Sequence, residues 1–138
     1  MRLAKPNTRR SGAALVEAAF VLPVILLLLY GVLCGAYMVI TVDQVDTAAR
    51  EGARWASVRG NMYSFENKQP AATAGDISTY TKTQVATLDT SKMTVNTSWD
   101  TNNRPGNYVT VQVIYNWPGL GPFPAQQFVA QSTQMISY

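Results

Sequence analysis

One acid stands where acids are costly. Glu17 is the single charged side chain in the thirty residues from Ala13 to Val42. A charge at a bilayer centre costs about 2.5–3.5 kcal/mol on insertion scales, whereas each Leu or Ile returns about 0.3–0.6 kcal/mol. The run absorbs one such cost. From its position alone, Glu17 either snorkels to water from one turn inside the interface or serves a function there. Other reactive groups are scarce. The chain has no histidine, the commonest general base and metal ligand. Cys34 is the only cysteine and lies inside the apolar run, so neither an intramolecular disulfide nor a cysteine metal site is available. It reads as a small apolar filler. No nucleophile–base pair is recognisable, and the expectation is a non-enzymatic protein with no catalytic residue, metal, cofactor or small-molecule substrate.

The element that must hold Glu17 is the apolar run itself. About twenty apolar residues suffice to cross a hydrocarbon core of roughly 30 Å, and residues 13–42 exceed that. A cleavable secretory segment has an apolar stretch of only about 7–15 residues, so ordinary removal of this one is not expected. Gly31-Val32-Leu33 before Cys34 does not fit a lipobox, which wants a small residue next to the cysteine. Charge then orients the helix. Residues 1–12 hold Arg2, Lys5, Arg9 and Arg10 and no acid, while Asp43 and Asp46 follow the run. The remaining 126 residues carry seven basic and eight acidic side chains. The basic balance thus belongs to a leader that faces anionic lipid on the cytoplasmic side, with the body outside. A nucleic-acid module would cluster its cations on a folded face instead. Pro23 is expected to kink the helix. Gly31 and Gly35 form a small-xxx-small pair that either permits close helix approach or is incidental in a lipid-facing anchor.

Residues 43–59 read as a continuation of the helix. Ala48, Gly52 and Ala56 recur every fourth position, as do Ala49 and Ala53, giving a flat face for close packing by a helix or sheet. Glycine costs about 1 kcal/mol against alanine in a helix interior, which points to a packing reason at Gly52. Arg50, Glu51 and Arg54 read as a solvated charged face beside it, in preference to a partner site. Residues 60–138 form a small outer α+β domain. Within it, residues 60–75 read as a loop and Asp76 as the cap of a short helix over 77–88. The period then becomes two. Met93, Val95, Thr97 and Trp99 alternate with polar residues, as do Val109, Val111, Val113, Tyr115 and Trp117, around the turn cluster Asp100–Gly106. Phe128–Tyr138 supplies a third antiparallel strand. A lone hairpin is marginal in water, so its apolar face is expected to lie on the C-terminal part of the long helix. Trp117 and Phe123 are expected to fold back on that core. Asn96-Thr97-Ser98 matches a glycosylation sequon, a pattern common by chance.

Two stretches carry a resemblance. Arg9-Arg10-Ser11-Gly12 followed by Ala13-Ala14-Leu15-Val16-Glu17 resembles the processing site of type IV pilin-like precursors. Ala48-Ala49-Arg50-Glu51-Gly52-Ala53-Arg54 resembles the signature of the TadE-like family, minor pilin-like proteins of the tight-adherence (Flp) pilus apparatus. With Leu22 and Pro23 between them, the ordered set covers residues 9–57. The resemblance implies a pilin-like fold, a long transmembrane helix continuing into a domain with a two- or three-stranded antiparallel sheet. It implies cleavage between Gly12 and Ala13 by a membrane prepilin peptidase. It also implies that Glu17, fifth after the cut, neutralises the new amine of Ala13 in its own or a neighbouring chain. Ala13 departs from the phenylalanine or methionine that many pilins have there. The implied setting is the bacterial inner membrane, with other pilin-like subunits and the lipid bilayer as partners, in a pilus or a related secretion apparatus. Incorporation into a surface pilus stays open. The rival reading is an anchored outer domain that binds an envelope partner and never polymerises.

Overall fold

The computed structural model describes the backbone of residues 8–137, with side chains from Gly12 onward. The cations Arg2 and Lys5 of the expected leader, and the side chains of Arg9 and Arg10, lie outside the described residues.

Helix α1 runs unbroken from Thr8 to Ser57, with Pro23 inside it. At 1.5 Å per residue it is about 75 Å long. Its last carbonyls are not left orphaned. The Ser57 hydroxyl donates to the Arg54 carbonyl at 2.9 Å, and the Ser137 N–H donates to the Ser57 carbonyl at 2.9 Å. The segment that follows the last strand thereby closes the end of the helix.

Two elements between helix and sheet differ from expectation. Residues 60–75 are not all loop: α2 spans Asn61–Asn67 and closes on Lys68 in the left-handed conformation (φ 53°). It is only seven residues long and none of them is buried, Met62 and Phe65 included, so too little periodic pattern is present to reveal it in the sequence. Helix α3 spans Ala74–Thr83 rather than 77–88, and Thr73, not Asp76, is its N-cap. Asp76 is the third residue of a capping box: its N–H donates to the Thr73 hydroxyl (3.3 Å), and the Thr73 N–H donates to its carboxylate (3.0 Å). The helix stops early among threonines whose hydroxyls bond back to the preceding turn, Thr79 to the Gly75 carbonyl and Thr83 to the Tyr80 carbonyl. Val85 and Leu88 still reach the core, from the irregular segment beyond.

A 3-10 turn at Thr90–Lys92 leads into an antiparallel sheet of order β1-β2-β3, with β1 Met93–Trp99, β2 Tyr108–Trp117 and β3 Gln126–Met135. Val113 pairs with Val95 on one side and Ala130 on the other. The third strand begins and ends earlier than its apolar residues suggest. Ile136 leaves the ladder, is buried to 1% exposure, and donates its N–H to the Asn107 carbonyl at 2.8 Å. The alternation of β2 sends Val109, Val111, Val113, Tyr115 and Trp117 inward, all buried. They lie on Val45, Ala48, Ala49, Ala53 and Ala56 of α1, while Ile77 of α3 closes the side of the core. The opposite face of the sheet carries no charged side chain and mixes Tyr108, Ile114, Val129 and Met135 with polar residues, among them a Thr110–Thr133 hydroxyl pair at 2.8 Å and a bond from Gln127 to Asn116 at 3.0 Å. The molecule is α+β: a long N-terminal helix whose second half lies on a three-stranded antiparallel sheet.

Candidate functional site

The first half of α1 touches little else. From Leu15 to Leu29 its large apolar side chains are exposed, Phe20 at 76% and Leu27 at 72%. Only 6% of its most apolar window is buried, and that window has a mean hydropathy of 2.5. A core helix is covered by its own chain, and this one is not. An apolar surface of this length needs lipid or other helices around it. It is the one helix among the described residues long and apolar enough to cross a membrane, and it anchors the chain in a single pass.

Glu17 lies on this exposed stretch and makes no ion pair among the described residues. Gly12 and Ala13 are exposed and belong to α1. The bond between them is therefore helical, not extended. A protease that reads an extended backbone can reach it only after the first turns of the helix open.

The small residues further along have definite neighbours within the chain. Cys34 is 2% exposed and packs beneath Gly121 of the β2–β3 loop. Gly35 faces the Phe123 ring, which a Cβ at Gly35 would meet at 3.7 Å, while a Cβ at Gly31 would meet nothing within 4 Å. The small-xxx-small pair is thus divided, with Gly35 committed to the chain's own loop. Ala48, Ala49 and Ala53 have no exposed surface. Gly52 is the closest approach of all: a Cβ there would run into the Thr81 hydroxyl of α3 and stand 3.3 Å from Val111 Cγ1 of β2. Between these positions Arg50 and Arg54 point to solvent, and Glu51 is half-buried. Arg50 holds Asp46 one turn back at 2.6 Å, with side chains 71% and 40% exposed, so the pair is screened and contributes little. The signature therefore has two faces, small residues turned to the chain's own sheet and α3, and cations turned outward.

Trp117 and Phe123 do fold back. Trp117 is buried and tilts against Phe128 with centroids 5.7 Å apart, and Phe123 covers Gly35. Two features had no clear herald in the sequence. Trp55 stacks on Tyr80 at 5.0 Å with Arg59 4.3 Å over the same indole. The i,i+4 spacing of Trp55 and Arg59 hints at their contact, but Tyr80 arrives by tertiary folding. The descent of the β2–β3 loop onto Tyr30 and Cys34 is likewise tertiary. Its one sequence signal is composition, since no charged residue occurs from Pro105 to the C-terminus.

No curated protein and no solved structure matches the chain. The family model described as TadE-like protein matches residues 12–54, which starts at the Gly12–Ala13 junction, takes in Glu17 and the whole exposed stem, and ends on the outward-facing Arg54. Over that stretch, from the membrane anchor to the shoulder that supports the sheet, the chain is similar to TadE-like proteins.

Proposed function

We propose that this chain is a minor pilin or pseudopilin that acts in assembling a tight-adherence (Flp) pilus or a related secretion apparatus. The TadE-like match supports a pilus-associated role. The observation that carries the assembly reading is the placement of Glu17, an acid with no ion pair among the described residues, on an otherwise apolar helix surface that the described part of the chain does not cover. In this reading the basic leader stays in the cytoplasm of a bacterial cell, with the sheet domain beyond the inner membrane. A prepilin peptidase opens the first helical turns and cuts between Gly12 and Ala13. The new amine of Ala13 then lies one helical turn from a Glu17 carboxylate, its own or a neighbour's. An acid in hydrocarbon gains strongly from meeting an amine, so the pair sets the axial register of adjacent stems.

The packing narrows where subunits meet. Ala48, Ala49, Gly52 and Ala53 are occupied by the chain's own sheet and α3. Lateral assembly therefore falls to the exposed apolar surface of the stem, which runs on to Val42, with the exposed Arg54 and the Asp46-paired Arg50 facing outward around the shoulder. The same enclosure favours the second reading, an anchored domain that binds an envelope partner and does not polymerise, because the domain is complete without a neighbour.

N-terminal sequencing of membrane-extracted protein tests the processing step. A start at Ala13 is expected, and an intact Met1 start in cells with an active prepilin peptidase overturns it. Shearing tests assembly: the subunit is expected with filaments or in cross-linked stems, and Glu17→Ala is expected to abolish that association while leaving membrane insertion intact. Unchanged association in Glu17→Ala removes the register role, and strict monomeric residence in the membrane favours the second reading.

A further inference from the structure

The loop Pro118–Ala125 between β2 and β3 is the part of the sheet domain that reaches furthest down the stem. Gly121 sits so close to α1 that a Cβ there would stand 2.9 Å from Cys34 Sγ and 2.9 Å from the Tyr30 ring and hydroxyl. Phe123 covers Gly35, and just past the loop the Gln126 amide donates to Met38 Sδ at 3.4 Å. Tyr30, Cys34 and Met38 follow at four-residue spacing and share one face of the helix.

These contacts decide how much stem is free to cross a bilayer. A span takes about 20 apolar residues. Counted from Ala13, about 20 residues end at Val32. Counted from Ala18, just past Glu17, they end at Tyr37. Tyr30 falls inside the apolar slab in both registers. Cys34 falls inside it in one and within about 3 Å of its edge in the other. A loop resting on both is carried to that depth. Its chemistry suits the position. It has no charge to desolvate, and neither has the chain on either side of it from Pro105 to Tyr138. Leu120 and Phe123 exchange two backbone hydrogen bonds at 3.1 Å. Pro118, Pro122 and Pro124 have no N–H to leave unpaired. Both features lower the cost of leaving water. Leu120, which precedes Gly121, is 41% exposed, and Tyr30, on which Gly121 rests, is 52% exposed. The far end of the sheet differs: its turn carries Asp100 and Arg104.

We propose that Pro118–Ala125 is a membrane-contact loop that seats Leu120 at the boundary between headgroups and acyl chains, alongside Tyr30, and so fixes the height and tilt of the sheet domain on the bilayer. The proposal rests on the membrane crossing of the stem and not on the assembly reading. Lipid is the occupant because the loop rests, at Gly121, on Tyr30 and Cys34 of a stem already in lipid, and brings no charged side chain with it.

The test is a depth measurement on the full chain in vesicles of phosphatidylethanolamine and phosphatidylglycerol. A nitroxide is attached through Leu120→Cys in a Cys34→Ala background, with companion labels through Leu27→Cys on the stem and Thr101→Cys on the far turn. Power saturation with oxygen and with a water-soluble nickel chelate then reports depth. The oxygen-to-nickel ratio at position 120 is expected severalfold above that at 101 and below that at 27. The same order is expected in a Cys34→Ser background, which keeps an atom beneath Gly121. A ratio at 120 equal to that at 101, with 27 in lipid, overturns the loop contact and leaves the crossing standing. An aqueous reading at 27 overturns both. Shielding of 120 from both reagents with spin–spin broadening places a second copy on the loop and overturns the lipid contact.

Discussion

Gly52 sits where α1 comes closest to its neighbours, and it shows how the signature works residue by residue. An alanine in its place gains about 1 kcal/mol of helix propensity. Here the added methyl meets the Thr81 hydroxyl and Val111, and overpacking of this kind costs about 1–3 kcal/mol. Gly52→Ala is therefore expected to be neutral to destabilising by up to about 2 kcal/mol, where an open helical glycine would give a gain. Thr81 is itself buried and its hydroxyl has no hydrogen-bond partner among the described residues, so Thr81→Ala loses no bond seen there and makes room. The double variant is expected to recover stability, with a coupling above about 0.5 kcal/mol in a thermodynamic cycle, read from thermal unfolding in detergent. Additive effects would mean that the two groups do not meet. The packing reason at Gly52 was legible from sequence as a helix-breaking residue retained at four-residue spacing with alanines. That its neighbour is a threonine of α3 was not, because nothing in the spacing of residues 48–56 names the surface that covers them.

Among the elements, α3 shows both the reach and the limit of pattern. The strands were legible because one buried face imposes strict alternation, and β2 carries it through Val109, Val111, Val113, Tyr115 and Trp117. Helix α2 was not, since it buries nothing. The start of α3 shifted because Thr73 and Asp76 compete for the cap, and the pair resolves as a box in which each serves the other's N–H. That box makes α3 sensitive to acid. Hydrogen bonds from the Thr73 hydroxyl and backbone N–H hold the Asp76 carboxyl below the usual carboxylate range, and those from Ser91 do the same at Asp89 before β1. A depressed folded-state pKa contributes stability that is present above the unfolded value of about 3.9 and is lost as pH falls through the folded value. Unfolding temperature is expected to drop as pH goes from about 5 towards 2, carboxylates being the groups that titrate there. Asp76→Asn is expected to flatten part of that drop. An identical pH profile in Asp76→Asn would show that the cap does not feed into global stability.

At the scale of the whole molecule, the chain divides by sequence into a stem, a shoulder and an outer part, but its core does not divide there. The sheet's inner face has α1 as its main cover, through Val45, Ala48, Ala49, Ala53 and Ala56, and the loop Pro118–Ala125 rests on α1 still further down, at Tyr30 and Cys34. Sequence pattern marks an apolar run as a membrane segment but is blind to a loop that folds back along it. This layout predicts a graded series of fragments. Residues 60–138 alone present three strands with an uncovered row of valines, tyrosine and tryptophan, and an isolated small sheet without a packed face is marginal. That fragment is expected to unfold without cooperativity and to bind a hydrophobic dye. Residues 43–138 restore Val45–Ser57 and are expected to fold cooperatively, but without Cys34, Gly35 and Met38 the loop loses its seat, so amides of Leu120 and Phe123 exchange faster than those of β2. Residues 30–138 return the seat and are expected to slow those two amides. Cooperative unfolding of 60–138 would show that the outer part owns its core. Equal exchange at Leu120 and Phe123 in the two longer fragments would show that the stem does not hold the loop.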